Sequence, residues 1–451
     1  MTDADYSWPG ASQAWLDLPE PVRARMVTAG AEQWQRIFDG RATYNKQWRL
    51  ARPPVMTADA LTTLNRISDR LAQLVLETCQ RRARTGAELR ALLGVTEERT
   101  RLLDDAAPLD ERLLAAVRPD VLLSGGVPKF VEFNIDSSLG GALDSDTVVR
   151  RFVEIYAERG ITELVPMAPA PSAVAERFVA IRTTLGLPEG ARVAMLIDFD
   201  AEYPGLDNPE WFMSKLAPVV DLARDCAVDL VISPVSTVTL DDQRRLLVDG
   251  GTVDAVFRLF VPNRVTPSAG IRALADATAA GLPVFVSAAA WLLGSKQVLA
   301  WLWSDLDQLP EDDRALVRRY VPRTETLTAD AVERAVAAQQ DLVAKPADGS
   351  AGVGVLIGRE TDPEAWRDGL AKAVEAGGYV LQEYVPADSV PMDFVHIETG
   401  ETVTEEVPYS IAPYLFDRRG SGVCVRSGFP GCEGVLNLAR GVLLSGVLVV
   451  D

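Results

Sequence analysis

The sequence predicts an α/β fold, α+β overall, and three observations carry that expectation. Strand-length apolar runs alternate with amphipathic helical stretches between residues 172 and 286, the pattern of a mainly parallel sheet covered on both faces. The run 127–146, VPKFVEFNIDSSLGGALDSD, opens with period-two alternation of apolar and polar residues. A chain of 451 residues, 48% of them hydrophobic, holds enough apolar material for two or three domains.

Composition narrows the function classes. A net charge of -19 argues against nucleic acid or an anionic membrane as partner, so any nucleotide site has to be a local positive pocket. Lysine is scarce, with 6 against 39 arginines, which makes a lysine inside a motif more informative than usual. The four cysteines and the single histidine, His396, show no metal-ligand spacing, and neither a zinc site nor a histidine-based nucleophile is expected. MTDADYSWPG is acidic without an apolar signal core, and no apolar run reaches membrane-spanning length; a cytoplasmic location is the expectation.

Residues 19–117 read as mainly helical. Leu61, Leu64, Ile67, Leu71, Leu74 and Val75 recur at spacings of three and four, predicting a helix over 58–82, with Thr57 and Ser12 as caps. No chemistry is legible here, and a packing layer is expected.

The next stretch is different. Arg118-Pro119-Asp120 and the alternating run after Gly125-Gly126 predict a hairpin in which Leu123 faces Lys129, Asp120 faces Glu132 and Arg118 faces Asn134. Phe130, Glu132, Asn134 and Asp136 then share one face, and Val131, Phe133 and Ile135 the other. Two carboxylates and an amide beside an arginine suit a hard cation such as magnesium, or form a solvated hairpin with incidental charges.

A helix is expected over 144–159, and Pro166, Pro169 and Pro171 mark a connection. Helices over 172–185, 208–226 and 268–280 then alternate with strands over 192–198, 229–233, 255–260 and 283–286. Ligands of such sheets bind beyond the carboxyl ends of the strands. Asp198, Asp200 and Glu202 are therefore candidate substrate contacts, the alternative being solvated loop acids. Arg258 inside the apolar VFRLF needs a partner. A helix over 288–303 carries Lys296, placed either for a phosphate or as a snorkelling surface lysine. A short helix near Arg314 follows.

Residues 341–345 and 353–358 read as strands around the loop DGSAGVG, with Gly349, Ser350, Gly352 and Gly354. Small residues let backbone amides approach phosphate, and Lys345 adds a point charge, although many tight turns look similar. The pattern is neither a P-loop nor a dinucleotide fingerprint, since a strand follows the glycines and no GK[ST] is present. After a helix over 362–376, YVLQEYVP is a strand whose end can face a purine edge, flanked by Gln382 and Glu383.

In this order, RPD…VEFNID, GSKQVLAWLW, LVAKPADGSAGVGV and YVLQEYVP resemble the circularly permuted ATP-grasp group, most closely the synthetase domain of glutathionylspermidine synthetase and related peptide ligases. The resemblance runs from about Arg118 to the C-terminus. It implies an ATP-grasp fold with a helical region at 1–117, a metal-binding hairpin at 118–165, a Rossmann-like substrate subdomain at 166–292, an ATP-binding subdomain at 293–390 and a closing part at 391–451. It implies ATP and Mg2+ as cofactors, with Asp120, Glu132 and Asn134 as metal ligands and Arg118 steadying the transferred phosphoryl group. Lys296 and Lys345 match the phosphate lysines, Gln382, Glu383 and Val385 the adenine strand, and Ser137 and Ser138 the position of the acceptor carboxylate. Arg426 in GVCVRSG and Asn437 resemble the end of the same domain. Residues 1–117 show no cysteine–histidine amidase pattern ahead of the ligase blocks. The activity implied is ATP-dependent ligation of a small-molecule carboxylate, amino acid or peptide, to an amine through an acyl phosphate, with release of ADP and phosphate. The alternatives are a kinase-type enzyme of the same fold and a non-catalytic nucleotide-binding module.

Overall fold

The computed structural model describes residues 6–10, 14–38, 45–96, 102–103, 106–202, 209–214, 216–349, 352–432, 436 and 441–451. Ser12, Ser350 and Asn437, singled out in the sequence, lie outside them. Three of the sheets position the site.

The largest is a seven-stranded antiparallel sheet built on Thr402–Phe416, which pairs with Ser389–His396, Arg419–Ser427 and Ala116–Ser124. Ala116–Ser124 in turn pairs with Val127–Ile135. The second sheet is parallel, in the order Val284–Phe285, Ala255–Arg258, Ala191–Ile197, Val228–Pro234. Its two faces enter different cores. Val193, Met195 and Ile197 pack with Phe178 of helix Ala173–Thr184, whereas Ala194 and Leu196 pack with Ile271 and Leu274 of helix Ala269–Ala279. Alternation in an all-apolar strand thus covers both sides of the sheet. The third sheet, Thr324–Thr326, Tyr379–Glu383, Leu342–Pro346 and Leu356–Ile357, is antiparallel.

Helix Ala58–Gln80 forms as its periodicity demands, with the Thr57 hydroxyl accepting the Ala60 amide at 3.1 Å. The N-terminal region is not purely helical, however. Trp48–Leu50 joins the large sheet opposite His396, and Val55–Thr57 pairs in parallel with Leu448–Val450. Strands of three residues whose partners lie at the far end of the chain leave no periodic trace. Arg70 to Asp313 and Arg82 to Asp305, each at 2.6 Å, tie the helix to the segment behind Lys296.

Other differences from expectation have local causes. Residues 288–303 form two helices, Ala290–Leu293 and Lys296–Ser304. They part at Gly294, where a Cβ would stand 2.9 Å from the Phe133 carbonyl, and Ser295 caps the second. Residues 208–226 likewise split into Pro209–Ser214 and Ala217–Asp225, the latter with a proline in its first turn. The helix expected near Arg314 begins earlier, at Glu311, directly after Pro310. The strand expected over 353–358 is only Leu356–Ile357, because Gly352 and Gly354 take φ of +74° and +75° and hold the chain in a turn.

Candidate active site

The site hairpin is set by two constraints that a regular ladder cannot satisfy together. Gly125 and Gly126 both adopt positive φ and close a two-residue turn, so Ser124 faces Val127 and Leu122, not Leu123, faces Lys129. Further along, Asp120 faces Glu132 and Arg118 faces Asn134. A bulge at Val131 reconciles the two halves. Its effect is a change of parity. Phe130 and Glu132 would share a face in a regular strand, as the sequence suggested; instead Phe130 is fully buried in the core while Val131, Glu132 and Asn134 line a cavity of about 700 Å³.

Lys296, Lys345 and Arg426 bring cations to that cavity from three separate elements. Lys296, in the first turn of its helix, is buried; its Nζ lies 3.1 Å from Glu132 Oε1 and donates to the Gly349 carbonyl at 2.8 Å. Lys345, on the middle of the third sheet, donates to Gln382 Oε1 at 2.6 Å. Burial pushes its ammonium down to about 8, with Glu132 opposing and Lys296 adding to the shift. Arg426, from Arg419–Ser427, contacts Asp120 Oδ1 at 3.2 Å. Burial alone would raise the Asp120 carboxyl, but Arg426 and Arg118 outweigh it and hold it below the usual range. Asp120 in turn raises the Arg426 guanidinium.

Arg118 donates to the Gly140 carbonyl at 2.8 Å, while its Nε is buried with no hydrogen-bond partner among the described residues. Tyr414 grips the same carbonyl at 2.6 Å, and Arg177 donates to Leu139 O at 2.7 Å. Neither was signalled by the sequence, since both are far from the motif. Together they fix the loop that brings Ser138, Leu139, Gly140 and Gly141 to the cavity wall.

Gly349, Gly352, Glu383, Val385 and Glu202 also line the cavity. Gly354 is not among its lining residues; it packs against Pro346 and the Tyr379 hydroxyl, where a Cβ would come within 3.0 Å. Gln382 lines it too, but its amide is spent: Nε2 donates to Thr324 Oγ1 at 3.0 Å and to the Val131 carbonyl at 3.3 Å, while Oε1 accepts Lys345. Glu202 accepts the Val261 amide at 2.9 Å, and burial raises its carboxyl. Four of the expected substrate contacts do not line the cavity. Arg258 is buried against Asp136 at 3.3 Å, the partner its apolar strand required, and Ser137 donates to the Arg258 carbonyl. Asp198 accepts the Thr266 and Ala201 amides, and Asp200 is exposed on the short helix Phe199–Glu202.

The donor chemistry can be tested against a metal. Among the described residues no group of three or more His, Cys, Asp and Glu side chains is placed to hold one. Two carboxylates and an amide oxygen on one hairpin face, beside lysines suited to phosphate, nevertheless form the partial oxygen set that magnesium accepts when substrate phosphates complete it. Asp120, Glu132 and Asn134 fit that ion.

No family model matches the sequence, and no curated protein does. Solved structures do. A glutathione synthetase-like effector from Globodera pallida matches over 96% of this chain and 99% of its own, with a TM-score of 0.56 at 11% identity. D-alanyl-alanine synthetase A from Vibrio cholerae covers 57% of this chain and 88% of its own, with a TM-score of 0.29 at 11% identity, too low to bear on the fold. The chain therefore has an ATP-grasp-type α/β fold. It is the fold of that glutathione synthetase-like protein, which agrees with the sequence resemblance at the level of architecture.

Proposed function

We propose that this protein is an ATP-dependent ligase that joins a carboxylate to an amine, releasing ADP and phosphate. The observation that carries the reading is the Lys296 Nζ to Glu132 Oε1 contact, at 3.1 Å, in one cavity with Lys345, Asp120, Arg118 and Gly349. Groups from distant parts of the chain meet as a triphosphate site requires.

In the first step a carboxylate oxygen attacks the γ-phosphorus, the bond to the β–γ bridging oxygen breaks, and ADP leaves an acyl phosphate. In the second the amine attacks the acyl carbon, phosphate departs, and the amine proton leaves with it or to solvent. Lys296 and Lys345 hold the phosphate tail, the glycine-loop amides approach it closely, and Arg118 and Arg426 neutralise charge near the transferred group. Asp120, Glu132 and Asn134 would hold magnesium, which supplies positive charge to phosphate oxygens when bound. No side-chain nucleophile is needed. Val343, Ile357, Tyr384 and Val385 offer apolar surroundings to a purine.

The test is ADP release from paired amino acids and small peptides, with the product identified by mass. Glu132→Gln is expected to lower magnesium-dependent ADP release on the order of 100-fold. Full turnover in that variant overturns the assignment, and a stable phosphorylated product formed without amine identifies a kinase instead.

A further inference from the structure

Beyond the residues proposed to surround a purine, the cavity carries a further apolar wall: Leu93 and Val95 reach it from the N-terminal region, Trp291 and Leu292 from helix Ala290–Leu293, and Val353 from the glycine loop. Its position follows from two contacts. Gly294, ending that helix, abuts the Phe133 carbonyl, so the helix lies over the strand that carries Glu132 and Asn134. The loop bearing Val353 also supplies the Gly349 carbonyl that receives Lys296. This wall therefore adjoins the groups that would handle the transferred phosphate.

Val353 is 74% exposed, against 52% for each of Leu16, Leu92 and Leu164. Phosphate, metal and lysine have no use for apolar surface, and water held over it is released when an apolar group covers it. On the ligase reading above, we propose that this wall is a side-chain subsite. One of the two joined substrates is an amino acid or peptide with a bulky aliphatic or aromatic side chain. That side chain rests on Leu93, Val95, Trp291 and Val353, with its reacting group turned to Glu132 and Lys296.

Titration calorimetry tests this without turnover. The full chain, with magnesium chloride and a non-hydrolysable ATP analogue, is titrated with L-leucine, L-phenylalanine, L-aspartate and L-lysine and with dipeptides of each. Leucine or phenylalanine, free or in a dipeptide, is expected to bind at least about tenfold more tightly than its charged counterparts. Leu93→Ser with Val95→Ser, and separately Trp291→Ala, are expected to remove about tenfold of that affinity while analogue binding stays unchanged. Circular dichroism confirms that each variant is folded, and the serine pair serves if Trp291→Ala is not. Equal or tighter binding of the charged series, no binding of any apolar member, or unaltered affinity in the folded variants overturns the subsite. ADP release separates the two claims: ligation of charged pairs alone removes the subsite and leaves the ligase, whereas apolar binding with no ADP from any pair does the reverse.

Discussion

On the proposed reading Lys345 has to remain charged for a phosphate while sitting among protein atoms, and its ammonium, ordinarily near 10.5, is pushed down to about 8 by burial. Its charge is then lost as pH rises through that value. ATP-dependent kcat/KM is expected to fall above about pH 8, and Lys345→Met to lack this alkaline limb. The sign for stability is opposite. The folded chain bears the cost of the buried charge at low pH, and between about 8 and 10.5 it binds fewer protons at this site than the unfolded chain, so the contribution becomes less unfavourable with rising pH. Gln382 Oε1 accepts the ammonium at 2.6 Å, a bond expected to favour its charged form. Gln382→Leu should move the limb to lower pH and Gln382→Glu to higher; a limb that stays fixed in both excludes that role. The lysines and hairpin acids were legible in the sequence because scarce lysines stood beside glycines, and carboxylates on alternate positions of a strand. What stayed hidden was pairing over distance: nothing local reveals that Arg426 meets Asp120, that Arg258 is spent on Asp136, or that Gln382 is used up inside the protein.

At the scale of elements, the site depends on two interruptions. The bulge at Val131 changes strand parity and sends Phe130 inward and Glu132 outward; alternation alone could not show it, because the polar face looked continuous through Phe130. The break at Gly294 starts a fresh helix at Lys296, presenting that lysine from a first turn. Gly294→Ala would drive a Cβ to 2.9 Å from the Phe133 carbonyl, and neither backbone segment can yield freely. A loss of about 1–3 kcal/mol in urea unfolding is expected, together with a raised KM for ATP as Lys296 shifts from Glu132. An unchanged KM in the destabilised variant would show that the break serves packing only. The break was missed because the apolar period of residues 288–303 runs through it.

Across the whole molecule, the first third of the chain is woven into the rest. One continuous apolar core contains Leu64 and Ile67 from the N-terminal helix, Phe130 from the hairpin, Val193 from the parallel sheet and Ile411 from the large sheet. Arg52 is buried against Asp393 at 2.6 Å, with its guanidinium 3.9 Å over the Trp15 ring. Asp393→Ala leaves that cation buried without its counter-charge, and a loss of about 3–5 kcal/mol, read as a lowered denaturation midpoint, is expected. A shift within 0.5 kcal/mol would mean that water reaches Arg52. The parallel sheet was legible because apolar runs such as Ala191–Ile197 stand beside helical stretches such as Ala173–Thr184. The N-terminal strands were not, because three residues carry no period and their partners close the chain.

Leu93 and Val95 come from a part of the chain that supplies neither phosphate lysines nor hairpin acids. On the proposed reading, part of the substrate preference lies outside the stretches that would handle ATP, the rest falling to Trp291 and Val353. A graft of residues 86–96 from a relative of different preference should then shift which apolar side chain is favoured while the ATP requirement stays behind.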